Sequence, residues 1–119
     1  MLHVKDKIKQ LHYFSECADI DVNAKSIHGM NALILATQEG YEHIIARLLN
    51  CANIDVNAQD KDGDSALILA AFAGSENVVD RLLKCTDIDV NTQNNDGDSA
   101  LIMAAFKGHE SIIDRLLKV

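Results

Sequence analysis

Three cysteines recur at one fixed spacing, and thiols are the side chains that most often bind zinc or form cross-links in small domains. Cys17, Cys51 and Cys85 are separated by 34 residues in each case. Equivalent positions in successive stacked helical units lie roughly 10 Å apart. A disulfide needs Cα atoms within about 7 Å, and a metal needs ligands that converge on one point. The spacing therefore predicts neither a disulfide nor a metal site. It predicts small buried or half-buried thiols in a reducing compartment.

Two acidic loops, residues 60–65 and 94–99, superficially resemble calcium-binding loops. A helix-loop-helix calcium site places Gly at loop position six and Glu at position twelve. Here Gly63 falls at position four and Ala71 at position twelve. The pattern instead predicts a turn at the glycine, followed by a helix whose N-cap is Ser65.

The histidines are scattered, and they form no catalytic arrangement. His43 and His109 stand where second helices would begin, and His28 lies in a turn. No nucleophile–base pair has a persuasive spacing, and no glycine-rich phosphate loop is present. The sequence therefore predicts a protein that is not an enzyme and that holds no cofactor or metal.

The composition restricts the classes of molecule that the chain can bind. The 119 residues carry a net charge of -7, which repels nucleic acid and anionic lipid. No apolar run approaches the roughly 20 residues of a membrane span, and residues 1–10 are too charged for a signal peptide. These features predict a soluble protein of the cytoplasm or nucleus that binds neither nucleic acid nor membranes.

An internal repeat organises the chain. The tripeptide Asp-Val-Asn recurs every 34 residues, at 21–23, 55–57 and 89–91, and residues 55–84 match residues 89–118 at 21 of 30 positions. In each unit a short small-residue helix ends at a glycine such as Gly74. A second helix begins at Ser75 or Glu76 and places Val78, Leu82 and similar residues on one face. Neither helix reaches the ~12–15 residues that an isolated helix needs, so each pair must pack on its neighbours.

These units resemble the ankyrin repeat family from about Lys9 to the C-terminus. The matching motif comprises Asp62, Gly63, Ser65-Ala66-Leu67, Ala70-Ala71, Gly74, Val78-Val79 and Leu82-Leu83, followed by Asp89-Val90-Asn91 at the start of the next unit. The resemblance implies an all-α solenoid of stacked antiparallel helix pairs with β-turn finger loops, and a function in binding proteins. It implies repeats at 21–54, 55–88 and 89–119 after an N-terminal partial repeat or cap helix at 1–20.

The sequence departs from the family pattern at several points. Ser65-Ala66-Leu67-Ile68 stands where the family usually has Thr-Pro-Leu-His, and one extra residue lengthens the loop at 86–88. We expect Ile20, Ile54 and Ile88 to anchor this loop by apolar packing. Residues 4–16 predict one amphipathic helix. The last unit lacks a polar capping repeat, so we expect a fragment of a longer protein, or a last face covered by another chain through self-association.

The family resemblance implies a partner surface on the finger tips and the exposed side of the first helices. The residues that map to it are Met30, Gln38, Asp62, Asp64, Phe72, Asp96, Asp98, Phe106 and Lys107. Carboxylates beside two aromatic rings suit a partner protein with a basic and apolar surface. Alternatively, the Asp residues serve only their turns, and Phe72 and Phe106 pack inward between units.

The leading hypothesis is therefore a protein–protein interaction module, part of a larger regulatory or scaffold protein. One alternative is a designed or excised repeat scaffold with no native partner. Another is the non-catalytic recognition segment of a larger enzyme or of a bacterial effector.

Overall fold

A computed structural model describes residues 17–119. The helices of this range come in three pairs: α1 (Ala32–Glu39) with α2 (Glu42–Leu49), α3 (Ala66–Ala73) with α4 (Glu76–Leu83), and α5 (Ala100–Lys107) with α6 (Glu110–Leu117). The first, second and third units are the pairs in that order, each with the finger loop that precedes it. The predicted all-α solenoid of helix pairs is confirmed. The predicted helix at residues 4–16 lies outside the described residues.

The ends of the first helices follow from two residues in each unit. The Ser65 hydroxyl accepts the N–H of Ile68 at 3.3 Å and so caps α3, as predicted. Gly74 ends the helix at φ 72°, in the left-handed region where only glycine is free of strain. The chain thereby reverses within two residues, and α4 starts at Glu76.

The core is made where one pair of helices packs on the next. Leu67 and Ile68 of α3 are buried, as are Val78, Val79 and Leu82 of α4. One continuous cluster of buried apolar residues runs from Leu33 to Leu116. Each eight-residue helix is therefore stable only within the stack, as the repeat pattern predicts.

Polar groups connect successive units at the finger side of the stack. The Asn57 amide donates to the carbonyl of Asp87 at 2.7 Å, and its oxygen accepts the N–H of Asp89 at 2.8 Å. Asn23 makes the same pair of bonds with Asn53 and Asp55. These bonds fix the spacing of the units, because each one satisfies backbone groups of the next loop.

The finger loops are also bonded from one unit to the next. The N–H of Asn95 donates to the carbonyl of Asp62 at 2.9 Å, and the N–H of Lys61 donates to the carbonyl of His28 at 3.0 Å. On the outer helices, the Arg115 guanidinium forms ion pairs with Asp80 at 2.7 Å and Glu76 at 3.2 Å. Contacts between units thus extend from the finger tips to the second helices.

The expectation for the loop isoleucines is confirmed at two of three positions. Ile54 and Ile88 are half-buried and pack against the core. Ile20 is 64% exposed, so the expectation was wrong there. No helix within residues 17–119 is long and apolar enough to cross a membrane.

The prediction that the cysteines are too far apart to pair was wrong for one pair. Cys17 and Cys51 form a disulfide, with Cα atoms 5.9 Å apart. The expected 10 Å spacing applies to residues in complete stacked helix pairs. Cys17 instead precedes the first complete helix pair of the described residues, so that spacing does not apply to it. Cys85 is a free, half-buried thiol, as predicted.

Candidate protein-binding surface

The first helices of the three pairs expose Gln38, Phe72 and Phe106, and we call the surface that these side chains form the inner surface. Gln38, Phe72 and Phe106 occupy equivalent positions in α1, α3 and α5, and all three are exposed. Phe72 is 40% exposed and Phe106 78% exposed. The alternative in which both rings pack inward between units is therefore wrong.

A cavity of about 340 Å³ lies beside the two rings. The side chains that line it are those of Phe72, Asp98, Ile102, Met103 and Phe106. The lining is apolar except for the carboxylate of Asp98. Such a cavity can take one apolar side chain while the carboxylate receives a neighbouring cation or N–H group.

Ile102 and Met103 belong to this cavity although the sequence did not indicate them. Ile34 and Ile68, at the position equivalent to Ile102, are each 1% exposed, whereas Ile102 is 46% exposed. Residue type alone gives no signal for this difference, because the three positions hold the same amino acid. The signal lies in the position of the third unit, which has no further helix pair stacked on it within the described residues.

Lys107 lies next to the aromatic pair rather than apart from it. Its Nζ is 5.0 Å from the centroid of the Phe72 ring, a distance at which an ammonium group is attracted to the ring face. The contact connects α5 to α3 across the surface. A partner that binds the face of Phe72 must displace Lys107 or approach the ring from its other side.

The second finger gathers three carboxylates. Their oxygens at Asp60, Asp62 and Asp64 lie within 4.8 Å of one another. Asp60 accepts the N–H groups of Asp62 and Asp64, both at 2.9 Å, so this side chain supports the turn as predicted. Asp62 is exposed at the tip and is free to face a partner.

The third finger repeats the arrangement with an amide in the first position. Asn94 accepts the N–H groups of Asp96 at 3.0 Å and Asp98 at 2.9 Å, and its amide donates to Asp64 at 2.9 Å. Asp96 is exposed at the tip, and Asp98 is half-buried at the cavity. The hydrogen bond from Asn94 joins the two fingers, and the charges of Asp62 and Asp96 act on Asp64, whereas Asp98 alone of the four predicted carboxylates lines the cavity.

Two of the predicted site residues lie away from this cluster. Met30 is half-buried in the first finger, where its N–H and carbonyl both bond to Ser26. Gln38 is exposed on α1. Neither lines the cavity, so the structure concentrates the predicted site residues in the second and third units.

Asp64 makes the stability of the finger dependent on pH. Burial raises the pKa of its carboxyl, the hydrogen bond from Asn94 acts against this, and the charges of Asp60, Asp62 and Asp96 add to the rise. A raised pKa in the folded state gives stability that is present below the unfolded value of 3.8 and is lost as pH rises through the folded value.

Asp64→Asn should therefore gain stability relative to the wild type as the pH rises, because the amide stays neutral and keeps the oxygen that Asn94 bonds. Urea unfolding at about pH 3 and about pH 6 measures this difference. Asp114→Asn, on the exposed part of α6, controls for the loss of one negative charge. Equal pH dependence of the two variants would contradict the assignment.

Comparison with known proteins adds one finding. A family model described as "Ankyrin repeats (3 copies)" matches residues 1–94 and again residues 52–119. The two matches together cover the whole chain. No curated protein matches it.

Proposed function

The chain belongs to the ankyrin repeat family, whose members are generally protein–protein interaction modules, and from this premise we propose that it binds a partner protein through its inner surface and finger tips. The family is typically non-catalytic. The binding residues of the proposal are Phe72, Phe106 and Lys107 on the helices, and Asp62, Asp64, Asp96 and Asp98 on the fingers. Met30 and Gln38 extend the surface along the first unit.

The observation that carries the proposal is the exposure of Phe72 and Phe106 beside the cavity. A folded protein rarely leaves neighbouring aromatic rings in water, and exposed apolar patches mark interaction sites. Rings of this kind anchor complexes because they bury a large area with little loss of side-chain freedom.

The charges around the cavity select the partner. Asp98 lines the cavity, Asp62, Asp64 and Asp96 lie on the finger loops that precede α3 and α5, and the whole chain carries a net charge of -7. We propose that the partner presents a bulky apolar side chain for the cavity and a Lys or Arg for Asp98. Complementary charge of this kind speeds association, so the association rate should fall as salt is added.

The proposal also covers the larger protein and the compartment in which the chain acts. We propose that the chain acts within a larger regulatory or scaffold protein in the cytoplasm or nucleus, as ankyrin repeats commonly do. In a reducing compartment Cys17 and Cys51 would be thiols, and the binding surface in the second and third units does not include them.

A displayed peptide library tests the partner chemistry and supplies a ligand for measurement. Selected peptides should pair a bulky apolar residue with a nearby Lys or Arg. Phe106→Ala should then weaken binding of such a peptide about 30-fold, the loss expected for a central aromatic anchor.

Tyr41→Ala is the matched control, because Tyr41 is an aromatic residue that is 52% exposed outside the inner surface. Isothermal titration should give this variant the wild-type affinity. Equal losses for the two variants, or an unchanged affinity in Phe106→Ala, would overturn the proposed surface.

A further inference from the structure

The side chain of His109 reaches across the boundary between the second and third units to the backbone of Phe72. Its Nε2 lies 3.1 Å from the carbonyl oxygen of Phe72. A carbonyl oxygen only accepts hydrogen bonds, so Nε2 carries the proton and donates the bond. Phe72 lies in the last turn of α3, where carbonyl groups have no partner within the helix. His109 therefore satisfies an open group of α3 at the residue that bears the proposed aromatic anchor.

The imidazole of His109 does not serve its own helix. His109 occupies the N-cap position of α6, but its side chain makes no capping hydrogen bond there. An N-cap side chain normally accepts an N–H group of the first turn, as the hydroxyl of Ser65 does for α3. The imidazole is thus directed away from α6 and toward the preceding unit.

The imidazole also packs directly on the turn that ends α3. A Cβ at Gly74 would lie 2.8 Å from Cε1 and 2.9 Å from Nε2 of His109. At Gly40, the equivalent turn of the first unit, nothing lies within 4 Å of such an atom. The residue of the second unit at the position of His109 is the smaller Ser75. The close packing is therefore a property of the boundary between the second and third units, and not of the repeat in general.

The ring of Phe72 is held from the same turn of the third unit. Lys107 and His109 flank Gly108, where the chain passes from α5 to α6 at φ 72°. The Lys107 ammonium lies 5.0 Å from the centroid of the Phe72 ring, while His109 bonds the carbonyl of the same residue. Phe72 lines the cavity, whereas Lys107 does not. One turn thus holds Phe72 at its backbone and at its ring, and leaves part of the ring open to the cavity.

We propose that His109 is a positioning residue of the partner-binding surface, which holds the end of α3 so that the Phe72 ring stays against Lys107 and beside the cavity. The inference rests on the proposed function, since a positioned ring matters only if a partner binds it. A side chain that is ordered before binding loses less conformational freedom when the partner arrives, so the affinity rises without a new contact. His109 does not line the cavity, and it acts through Phe72.

Nuclear magnetic resonance tests the positioning without any partner. Protons above an aromatic ring are shifted upfield by its ring current, so the ε protons of Lys107 report on the position of the Phe72 ring. In the wild type they should resonate upfield of those of the other lysines, and Phe72→Leu should abolish this shift. His109→Leu, which cannot donate, should move them toward the other lysines. His109→Gln should keep the wild-type shift, because the amide nitrogen of Gln can donate to the same carbonyl.

The peptide selected from the displayed library tests the effect on binding. His109→Leu should weaken its binding about 10-fold, roughly the effect of having to order one side chain on binding. His109→Gln should bind it like the wild type. In the Phe72→Ala background, His109→Leu should cause no further loss, because no ring remains to be positioned. A further loss in that background would overturn the proposal, since His109 would then act independently of Phe72.

Ser75→Ala is the matched control, since Ser75 stands at the equivalent position before α4 and also makes no capping hydrogen bond. It should leave the Lys107 resonances and the affinity unchanged, and circular dichroism should give every variant the wild-type fold. Lys107 resonances that do not respond to His109→Leu would overturn the positioning role even if the peptide binds as expected. Resonances that do respond, with an unchanged affinity in both His109→Leu and Phe106→Ala, would instead overturn the proposed surface on which the inference rests.

Discussion

Replacing Gly63 by Ala is expected to lower the free energy of unfolding by about 3 kcal/mol. Gly63 has φ 82°, where a Cβ atom is strained. A Cβ at this position would also lie 2.6 Å from the backbone nitrogen of Asn95 and 2.6 Å from its side-chain oxygen. The backbone of the third finger cannot withdraw without breaking the bond between Asn95 and Asp62. The substitution therefore acts on the boundary between two units and not only on one turn.

Gly97→Ala is the control that separates the effect of backbone strain from the effect of the close contact between the two fingers. Gly97 has nearly the same backbone angle, φ 84°, at the equivalent position of the third finger, but nothing lies within 4 Å of a Cβ there. In this variant only backbone strain should lower the free energy of unfolding, by about 1 kcal/mol after the entropy change of the unfolded chain is included. Urea unfolding of both variants measures the difference. Equal losses would show that the close approach of the two fingers does not contribute to stability.

The sequence was sufficient to predict those parts of the fold that depend on local residues repeated in register. Ser65 predicts a helix start and Gly74 a helix end, because capping and left-handed backbone are properties of these residue types. The 34-residue spacing then predicts stacking. The Cys17–Cys51 disulfide could not be predicted in this way, since Cys17 lies before the first complete helix pair of the described residues, where the repeat spacing gives no distance.

The sequence was sufficient to predict most of the residues that form the candidate site, but not how far their side chains are exposed. Phe72 and Phe106 were predicted from the family resemblance, whereas their exposure depends on how far neighbouring helices cover them. Ile102 shows the same limit more clearly, because Ile68 has the same local sequence context and is buried. Exposure at the two end units is decided by what is stacked there, and local sequence carries no information about it.

Reducing the Cys17–Cys51 disulfide is expected to lower the free energy of unfolding by about 4 kcal/mol, because the bond closes a loop of 34 residues in the unfolded chain. The cross-link also holds residue 17 to the end of α2, at a Cα distance of 5.9 Å. Urea unfolding with and without a phosphine reductant should show this difference in the wild type. A thiol assay of the oxidised, unfolded chain should detect Cys85 alone, since it is the free cysteine.

Two serine variants assign the effect to this bond. Cys17→Ser should abolish the response to reductant, whereas Cys85→Ser should keep it in full. Burial raises the pKa of the Cys85 thiol, and Asp87 adds to the rise, so this thiol is held in its less reactive protonated form. It should therefore exchange slowly with the disulfide while the protein is folded. A wild type whose stability does not change on reduction would show that the two cysteines do not constrain the stack.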